Sequence, residues 1–322
     1  MQGQSRHRVL LALVFALLCL VGGAASQSPR TASEPARGGQ EIRPLRIGFL
    51  RDGDLPESAF ARLKADWSAA DGELAEALAA DGYEGIALLP VDGRRDLLLR
   101  LQAREFDVAF VPARTWAEQS AGYVPVLQLR RPGDFTNSRT GEAFQQGVVL
   151  RRRDAPGADL EGLAELRWAV LNSGSLAGYV LPMARLGGEG IAPPPDGFLF
   201  FDSSEEVTKA VLTGLADVGI CELGGYRETL VAGGWKPDAV DLPVEEVLTT
   251  NPVPTDPVVF HSRLAPGRSE LGRLLRRELR DFAARDGFGA VGLVPADPAS
   301  YSRTTGILAR FDDPLAQSPA EP

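Results

Sequence analysis

FLFFDSSEEVTKAVLTGLADVGIC, residues 198–221, predicts one complete strand–helix–strand unit. Residues 198–201 form a short apolar run that is typical of a buried strand, and residues 217–221 contain a second one. Between them, Ser203 and Glu206 have the spacing of a capping box at the start of a helix, and Gly214 marks its end. A helix between two buried strands favours a parallel sheet built from βαβ units.

The same alternation of apolar runs and helical patterns occurs in both halves of the chain. Strands are predicted at residues 45–50, 86–91 and 107–111 in the first half and at 168–171, 198–201 and 217–221 in the second. In each half the third strand opens with Asp-Val and runs into a loop, at 112–116 and at 222–226, although coincidence of a common dipeptide would also explain the match. Loops at the carboxyl ends of such strands are where open α/β sheets bind ligands. We therefore predict two α/β lobes with a ligand site between them.

The N-terminus has the order of a secretory signal peptide. Arg6 and Arg8 precede an apolar run at 9–21, and small residues follow at 22–26. The run is shorter than the roughly 20 apolar residues of a spanning helix, which leaves a signal anchor as the less favoured alternative. Cys19 stands between two leucines, a poor context for lipid modification, and is expected to leave with the signal.

The chain ends are predicted to carry little structure. Residues 27–44 are predicted to be a flexible leader and residues 313–322 a disordered tail, because both are rich in proline, glycine and small or polar residues.

The chain has 43 acidic and 34 basic residues and a formal net charge of -9, which argues against binding nucleic acid. The chain has 2 cysteines, and loss of Cys19 with the signal would leave Cys221 alone. No intramolecular disulfide is therefore expected.

Residues 172–179, NSGSLAGY, are the segment most suited to an anion. They follow a predicted strand and precede a helix that contains Leu181, Met183 and Leu186. A helix N-terminus offers unpaired amides and a favourable dipole to an anion. Ser173 or Ser175 could also be a simple N-cap, which needs no ligand.

Four stretches resemble, in the same order, the periplasmic substrate-binding proteins of phosphonate, phosphite and phosphate ABC transporters. Residues 175–182, SLAGYVLP, are similar to the Ser-Thr-Ser-Gly-Tyr-x-x-Pro segment of that family. Residues 106–116 resemble its first buried strand and binding loop, and residues 205–226 resemble its helix, glycine, strand and tyrosine. Residues 252–257, PVPTDP, are similar to its Pro-x-Pro-Asn-Asp-Pro segment, with Thr255 in place of asparagine. The resemblance covers roughly residues 45–292.

The resemblance implies the fold and the function. The fold class is α/β, a bilobed periplasmic-binding-protein-like clamshell with two mixed sheets flanked by helices and two crossovers. Lobe 1 is expected at 45–142 and 255–312, lobe 2 at 143–254, and the crossings near 140–150 and 250–264. The expected function is that of a periplasmic, or otherwise extracytoplasmic, solute-binding protein. It would capture a small anion for an ABC-transporter permease, as a monomer, without a cofactor and without catalysis.

The motifs also give a set of expected ligand-binding residues. They are Arg114, Thr115, Trp116, Ser173, Ser175, Leu176, Ala177, Gly178, Tyr179, Glu222 and Tyr226. Leu176 and Ala177 stand where the family has hydroxyl side chains, so two donors to a phosphonate are missing, at ~1–3 kcal/mol for each unmade bond. Arg114 could compensate by gripping an oxyanion, or it could be a surface arginine.

Three further positions keep alternatives open. Glu222 stands where the family places an aspartate near the polar tail of the ligand. It could bind an amine or a hydroxyl, or it could lie in solvent. Tyr179 and Tyr226 could wall the cleft, or they could be structural.

Other functions are weighed on the same residues. A serine hydrolase would need Gly-x-Ser-x-Gly, which is absent around Ser175, and a histidine, of which the mature chain has one, His261. One histidine and one cysteine also exclude the usual zinc sites. A ligand-sensing partner of a membrane receptor stays open. Arg130 and Arg131 could steer anions to the cleft, as could residues 151–153, or all five could be solvated.

Overall fold

The computed structural model describes residues 42–308, except 52, 54, 70–71, 119–121, 157–160 and 192–196. The predicted signal peptide and tail lie outside the described residues, as does the predicted leader apart from its last three residues. Within the described ranges, no helix combines the length and the apolar character that crossing a membrane requires.

The first sheet has six strands and combines the beginning and the end of the described chain. Its strands are β1 (Arg43–Leu50), β2 (Tyr83–Val91), β3 (Val108–Phe110), β4 (Tyr123–Arg130), β13 (Pro257–His261) and β14 (Gly292–Pro295). They lie in the order β14-β4-β13-β3-β1-β2. β1 pairs in parallel with β2 and β3, whereas β13 runs antiparallel to β3 and β4. The sheet is therefore mixed.

The second sheet has five strands and is built from the middle of the chain. Its strands are β7 (Gly147–Arg152), β8 (Trp168–Leu171), β9 (Phe198–Phe201), β10 (Val218–Glu222) and β11 (Val244–Thr249). They lie in the order β11-β7-β10-β8-β9, with β8, β9 and β10 parallel and β7 antiparallel to both of its neighbours.

A small third sheet forms where the chain passes between the two large ones. It consists of β5 (Phe135–Thr136), β6 (Ala143–Gln145) and β12 (Val253–Pro254). β6 lies on the outward passage and β12 on the return, and they pair antiparallel. We propose that the two large sheets are the cores of the two lobes, so that the predicted boundaries at 142/143 and 254/255 fall within this third sheet.

Helices flank the sheets. They are α1 (Glu57–Ser68), α2 (Glu73–Ala80), α3 (Arg94–Gln102), α4 (Ala113–Glu118), a π-helical turn (Leu176–Val180) that runs into α5 (Leu181–Gly188), α6 (Ser204–Leu212), α7 (Leu223–Ala232), α8 (Glu270–Ala284) and α9 (Pro298–Leu308), with 3-10 turns at Glu161–Glu165 and Ser262–Leu264. The capping box is confirmed, because the Ser203 hydroxyl accepts a hydrogen bond from the Glu206 amide at 3.2 Å.

Aromatic packing marks the core on one face of the first sheet. Phe49 stacks on Phe60 with ring centroids 3.8 Å apart, and Phe110 meets Phe60 edge-on at 4.9 Å. Such pairs contribute ~0.5–1.5 kcal/mol beyond their buried area. The second sheet has an apolar cluster on each face.

The structure corrects two expectations about local conformation. Strand β1 begins at Arg43 instead of 45, because the buried Asp107 accepts hydrogen bonds from both terminal nitrogens of Arg43, at 2.8 and 2.7 Å. The loops predicted at 112–116 and 222–226 are instead the starts of helices α4 and α7. The two glycines at the start of α7 serve close packing: a side chain on Gly224 would lie 2.4 Å from the Gly133 carbonyl oxygen, and one on Gly225 would lie 2.6 Å from Cβ of Ser204.

Candidate functional site

A cavity of about 710 Å³ lies where the parallel strands of both large sheets end. Leu50 and Phe110 line it from the ends of β1 and β3, and Leu171 and Glu222 line it from the ends of β8 and β10. The helices that follow β3, β8, β9 and β10 begin at the same place, so the N-termini of α4, the π-helical turn, α6 and α7 converge on one space. Four helix N-termini bring partial positive charge to the cavity, which favours anionic groups there.

The π-helical turn opens directly onto the cavity. Ser175 is its N-cap, and its hydroxyl accepts a hydrogen bond from the Gly178 amide at 2.9 Å. Gly178 must be small, because a Cβ there would lie 2.4 Å from a methyl of Leu171. Ser175 and Leu176 line the cavity. The amide of Leu176 is the first of the turn, at a position with no partner within a helix, and is therefore suited to bind an anion.

The Ser175 side chain is already committed to protein partners. Its single hydroxyl proton is donated to Oε1 of Glu222 at 3.1 Å, while its oxygen accepts from Gly178. The expectation that Ser175 donates to a bound anion therefore requires this bond to Glu222 to change.

Glu222 lies at the base of the cavity, in an environment that disfavours its charge. Burial, together with the nearby carboxylates of Asp256 and Asp134, raises the pKa of Glu222 to about 7, although Arg131 and the Ser175 hydroxyl act to lower it. The backbone amide of Glu222 donates to the Ser204 hydroxyl at 3.2 Å, which fixes the end of β10 against the start of α6.

Arg131 joins two further carboxylates beside Glu222. Its Nη2 donates to Oδ2 of Asp256 at 2.5 Å, and its backbone amide donates to Oδ2 of Asp134 at 2.6 Å. The other oxygen of Asp256 accepts from the Ala113 amide at 2.6 Å, at the N-terminus of α4. Burial raises the pKa of Asp134 to about 6, although hydrogen bonds from Arg131 and Gln145 oppose the rise.

Arg114 bridges the two sides of the cavity. It extends from α4, and its guanidinium donates to the carbonyl oxygen of Ser173, in the loop that precedes the π-helical turn. It also pairs with Glu118 at 3.5 Å, and only 12% of its side chain is exposed. Of the expected binding residues, Arg114, Ser175, Leu176 and Glu222 thus line one cavity.

The remaining expected residues lie outside the cavity lining. Trp116 packs in the apolar cluster behind β3, Tyr179 and Ala177 are fully buried beside β8, and Thr115 is likewise inaccessible. Tyr226 is buried in the cluster on the other face of the second sheet, and burial raises its pKa to about 12. Ser173 contributes its carbonyl to Arg114 instead of a hydroxyl to the cavity, and the Gly178 amide donates to the hydroxyl of the N-cap Ser175.

The sequence offered weak signals for the residues that were missed. Asp256 belongs to the PVPTDP segment, but nothing in one sequence shows that its carboxylate turns toward the cavity. Arg131 was considered only for steering anions to the cleft, and Asp134 lacked any distinguishing pattern. Arg131, Asp134 and Asp256 come close to Ser175 and Glu222 only in the folded chain, after it has crossed between the two large sheets.

Comparisons with known proteins place this geometry in context. A family model described as "ABC transporter, phosphonate, periplasmic substrate-binding protein" matches residues 55–301. XAC2383 from Xanthomonas citri, solved with chloride ion, is 22% identical with a TM-score of 0.58 over 83% of this chain and 97% of that one. PhnD1 from Prochlorococcus marinus (MIT 9301), solved with methylphosphonate, is 15% identical with a TM-score of 0.51 over 84% and 98%.

The structural likenesses are informative about the fold. At such identities they show a shared architecture, and together with the family match they confirm the predicted bilobed α/β fold of periplasmic binding proteins. No curated protein matches the chain.

Proposed function

The chain belongs to the family of periplasmic substrate-binding proteins of phosphonate ABC transporters, and from this premise we propose that its cavity captures a small oxyanion of the phosphonate, phosphite or phosphate type. Members of this family capture a solute outside the cytoplasm for a membrane permease. That role in transport and the extracytoplasmic location follow from membership. The identity of the solute and the residues that hold it are the proposal.

One observation carries the proposal: a helix N-terminus and an arginine face each other across one cavity. The first amide of the π-helical turn, that of Leu176, lies on one side, and Arg114 reaches over from α4 on the other. Backbone amides and a guanidinium are both suited to the tetrahedral oxygens of a phosphonate. Because Arg114 already contacts the Ser173 loop, an anion at this point would be held by both sides and would favour a closed cavity.

The other end of the ligand is proposed to face Glu222. This carboxyl is close to half-protonated near neutral pH, since its pKa is about 7. A protonated Glu222 can donate a hydrogen bond, and an ionised one can accept from a hydroxyl. Leu176, Phe110 and Leu129 also line the cavity, so a ligand with an apolar body between its two polar ends fits this lining better than inorganic phosphate.

We further propose that the protein binds its solute without transforming it. Cys221 is buried away from the cavity, and burial raises the pKa of its thiol to about 12, which leaves no thiolate nucleophile at neutral pH. His261 lies at the end of β13 and does not line the cavity. The signal peptide at 1–26, a monomeric state and the absence of nucleic-acid binding belong to the same proposal.

A thermal-shift screen of the purified protein tests the proposal. The panel is phosphate, phosphite, methylphosphonate, ethylphosphonate, ethanesulfonate and acetate, each in excess. A ligand that binds only the folded state at about 100 times its Kd stabilises it by ~2.7 kcal/mol, which raises the melting temperature. We expect at least one phosphorus oxyanion to raise it in the wild type but not in Arg114→Ala. A panel without any shift, or a shift that the variant retains in full, would contradict the proposal.

A further inference from the structure

Asn172 directly follows strand β8 and lines the cavity. We infer that the Nδ2 group of its side chain binds an oxygen of the captured anion and so replaces one of the hydroxyl donors that are missing at Leu176 and Ala177. The inference rests on the proposed function, because it assigns a further donor to the same cavity.

The backbone fixes the orientation of the Asn172 amide. Its Oδ1 accepts a hydrogen bond from the Gly174 amide at 3.1 Å, while the backbone N–H of Asn172 donates to the Phe201 carbonyl at 3.0 Å. Because only the oxygen of an asparagine side chain can accept from an N–H, this contact distinguishes the two ends of the amide. The Nδ2 end, with its two N–H donors, has no hydrogen-bond partner among the residues that the structure describes.

These two donors belong to the loop that Arg114 also reaches. The Arg114 guanidinium donates to the carbonyl oxygen of Ser173, which is the residue after Asn172. Leu176, whose amide opens the π-helical turn, lies four residues after Asn172 and lines the same cavity, as does Arg114. A guanidinium, a side-chain amide and a backbone N–H are therefore available to the oxygens of one anion.

The orientation of the amide determines which ligand groups it can bind. Since Gly174 occupies Oδ1, the outward end of the Asn172 side chain is a donor, which suits an oxyanion and does not suit an ammonium group. The side chain is exposed in the structure. Closure of the lobes around a ligand would remove water from Nδ2, and an oxygen of the anion would then satisfy it.

Asn172→Asp tests the inference with little change in shape. The carboxylate can still accept from the Gly174 amide, so the free energy of unfolding in urea should stay close to that of the wild type. Both donors are lost, however, and a negative charge faces the anion. Isothermal titration at pH 6 should therefore show at least tenfold weaker binding of methylphosphonate. Asn172→Ser, whose hydroxyl can accept from Gly174 and donate one hydrogen bond, should have an intermediate affinity.

Asn137→Asp is the matched control. Oδ1 of Asn137 also accepts from the backbone, at 2.9 Å from the Arg139 amide and 3.2 Å from the Thr140 amide, and Asn137 lies outside the cavity lining. This substitution adds the same charge to the protein, so it should leave the affinity for methylphosphonate at the wild-type value. Equal affinities of wild type and Asn172→Asp would overturn the inference and leave the proposed function standing.

Heteronuclear NMR of the wild type gives a second measurement that does not depend on the stability of a variant. The side-chain NH2 signals of Asn172 should shift as methylphosphonate is added, whereas those of Asn137 should not. Signals of Asn172 that stay in place at saturation would overturn the inference alone. A wild type that binds no phosphorus oxyanion would overturn the proposed function and the inference together.

Discussion

Protonation of Glu222 should control the affinity of the cavity for anions, and Glu222→Gln is the perturbation that isolates this effect. In the ionised form, Glu222 holds the only hydroxyl proton of Ser175 and adds a negative charge to the base of the cavity. In the protonated form the charge is gone, and Ser175 can turn its proton toward a ligand. Glutamine keeps the size of the side chain and cannot ionise.

The magnitude follows from the pKa of Glu222, which is about 7 in the folded protein against an ordinary 4.5. At about 1.36 kcal/mol per unit, keeping the buried carboxylate charged costs ~3 kcal/mol. The native state holds this proton more tightly than the unfolded chain does. Its stabilising effect is therefore complete below about pH 4.5 and is lost as the pH rises through about 7. If only the protonated form binds, anion affinity falls by ~100-fold between pH 6 and pH 9, and partial discrimination gives a smaller fall.

Isothermal titration at pH 6, 7.5 and 9 measures this dependence, with ethanesulfonate as a probe that keeps its charge throughout and a phosphonate as a second ligand. Wild-type affinity should fall by at least tenfold over the range. Glu222→Gln should lose most of that fall, although Asp134, whose pKa is about 6, leaves a smaller dependence at the acid end. Identical pH profiles in the two proteins would refute the coupling between Glu222 and the anion.

Three further substitutions have defined outcomes. Gly224→Ala would place a Cβ 2.4 Å from the Gly133 carbonyl oxygen and should lower the free energy of unfolding in urea by ~1–3 kcal/mol. In the control Gly187→Ala the new Cβ meets no atom within 4 Å, so this variant should be as stable as the wild type or slightly more stable. Arg114→Ala should weaken binding of the captured anion by ~2–5 kcal/mol in isothermal titration, and equal affinity to the wild type would remove Arg114 from the site. Leu176→Thr adds a hydroxyl at the cavity and should tighten phosphonate binding by ~1 kcal/mol; no gain would mean that the family's ligand geometry does not carry over.

The alternation of strands and helices could be predicted because each element carries its own local signal. The unit at 198–221 formed with its capping box and its two strands, although β9 is the edge strand of its sheet, so Leu199 and Phe200 are exposed instead of buried. The start of β1 could not be predicted, because Arg43 is drawn into the strand by Asp107, which lies 64 residues away along the chain. The close packing of Gly224 on Gly133 and of Gly225 on Ser204 could not be predicted for a similar reason, because these partners are distant along the chain.

The site was predicted in part, and the division has a physical cause. Residues 172–179 carry a local signal for a helix N-terminus, so Ser175 and Leu176, which line the cavity, could be proposed from the sequence. Tyr179 and Tyr226 belong to the same motifs, but the turn of each helix directs them into the core, and one sequence does not reveal the direction of a side chain. Arg131 and Asp256 meet only through the two crossings between the sheets. Their ion pair forms only in the folded chain, and a single sequence does not reveal it.

Isothermal titration of methylphosphonate into the purified protein at pH 6 tests the central claim most directly, with Arg114→Ala titrated in parallel. The account predicts one ligand bound per chain, with micromolar or tighter affinity, and at least tenfold weaker binding to the variant. Absence of binding with methylphosphonate, and with ethylphosphonate and phosphite in its place, or affinity that is equal in both proteins, would contradict it.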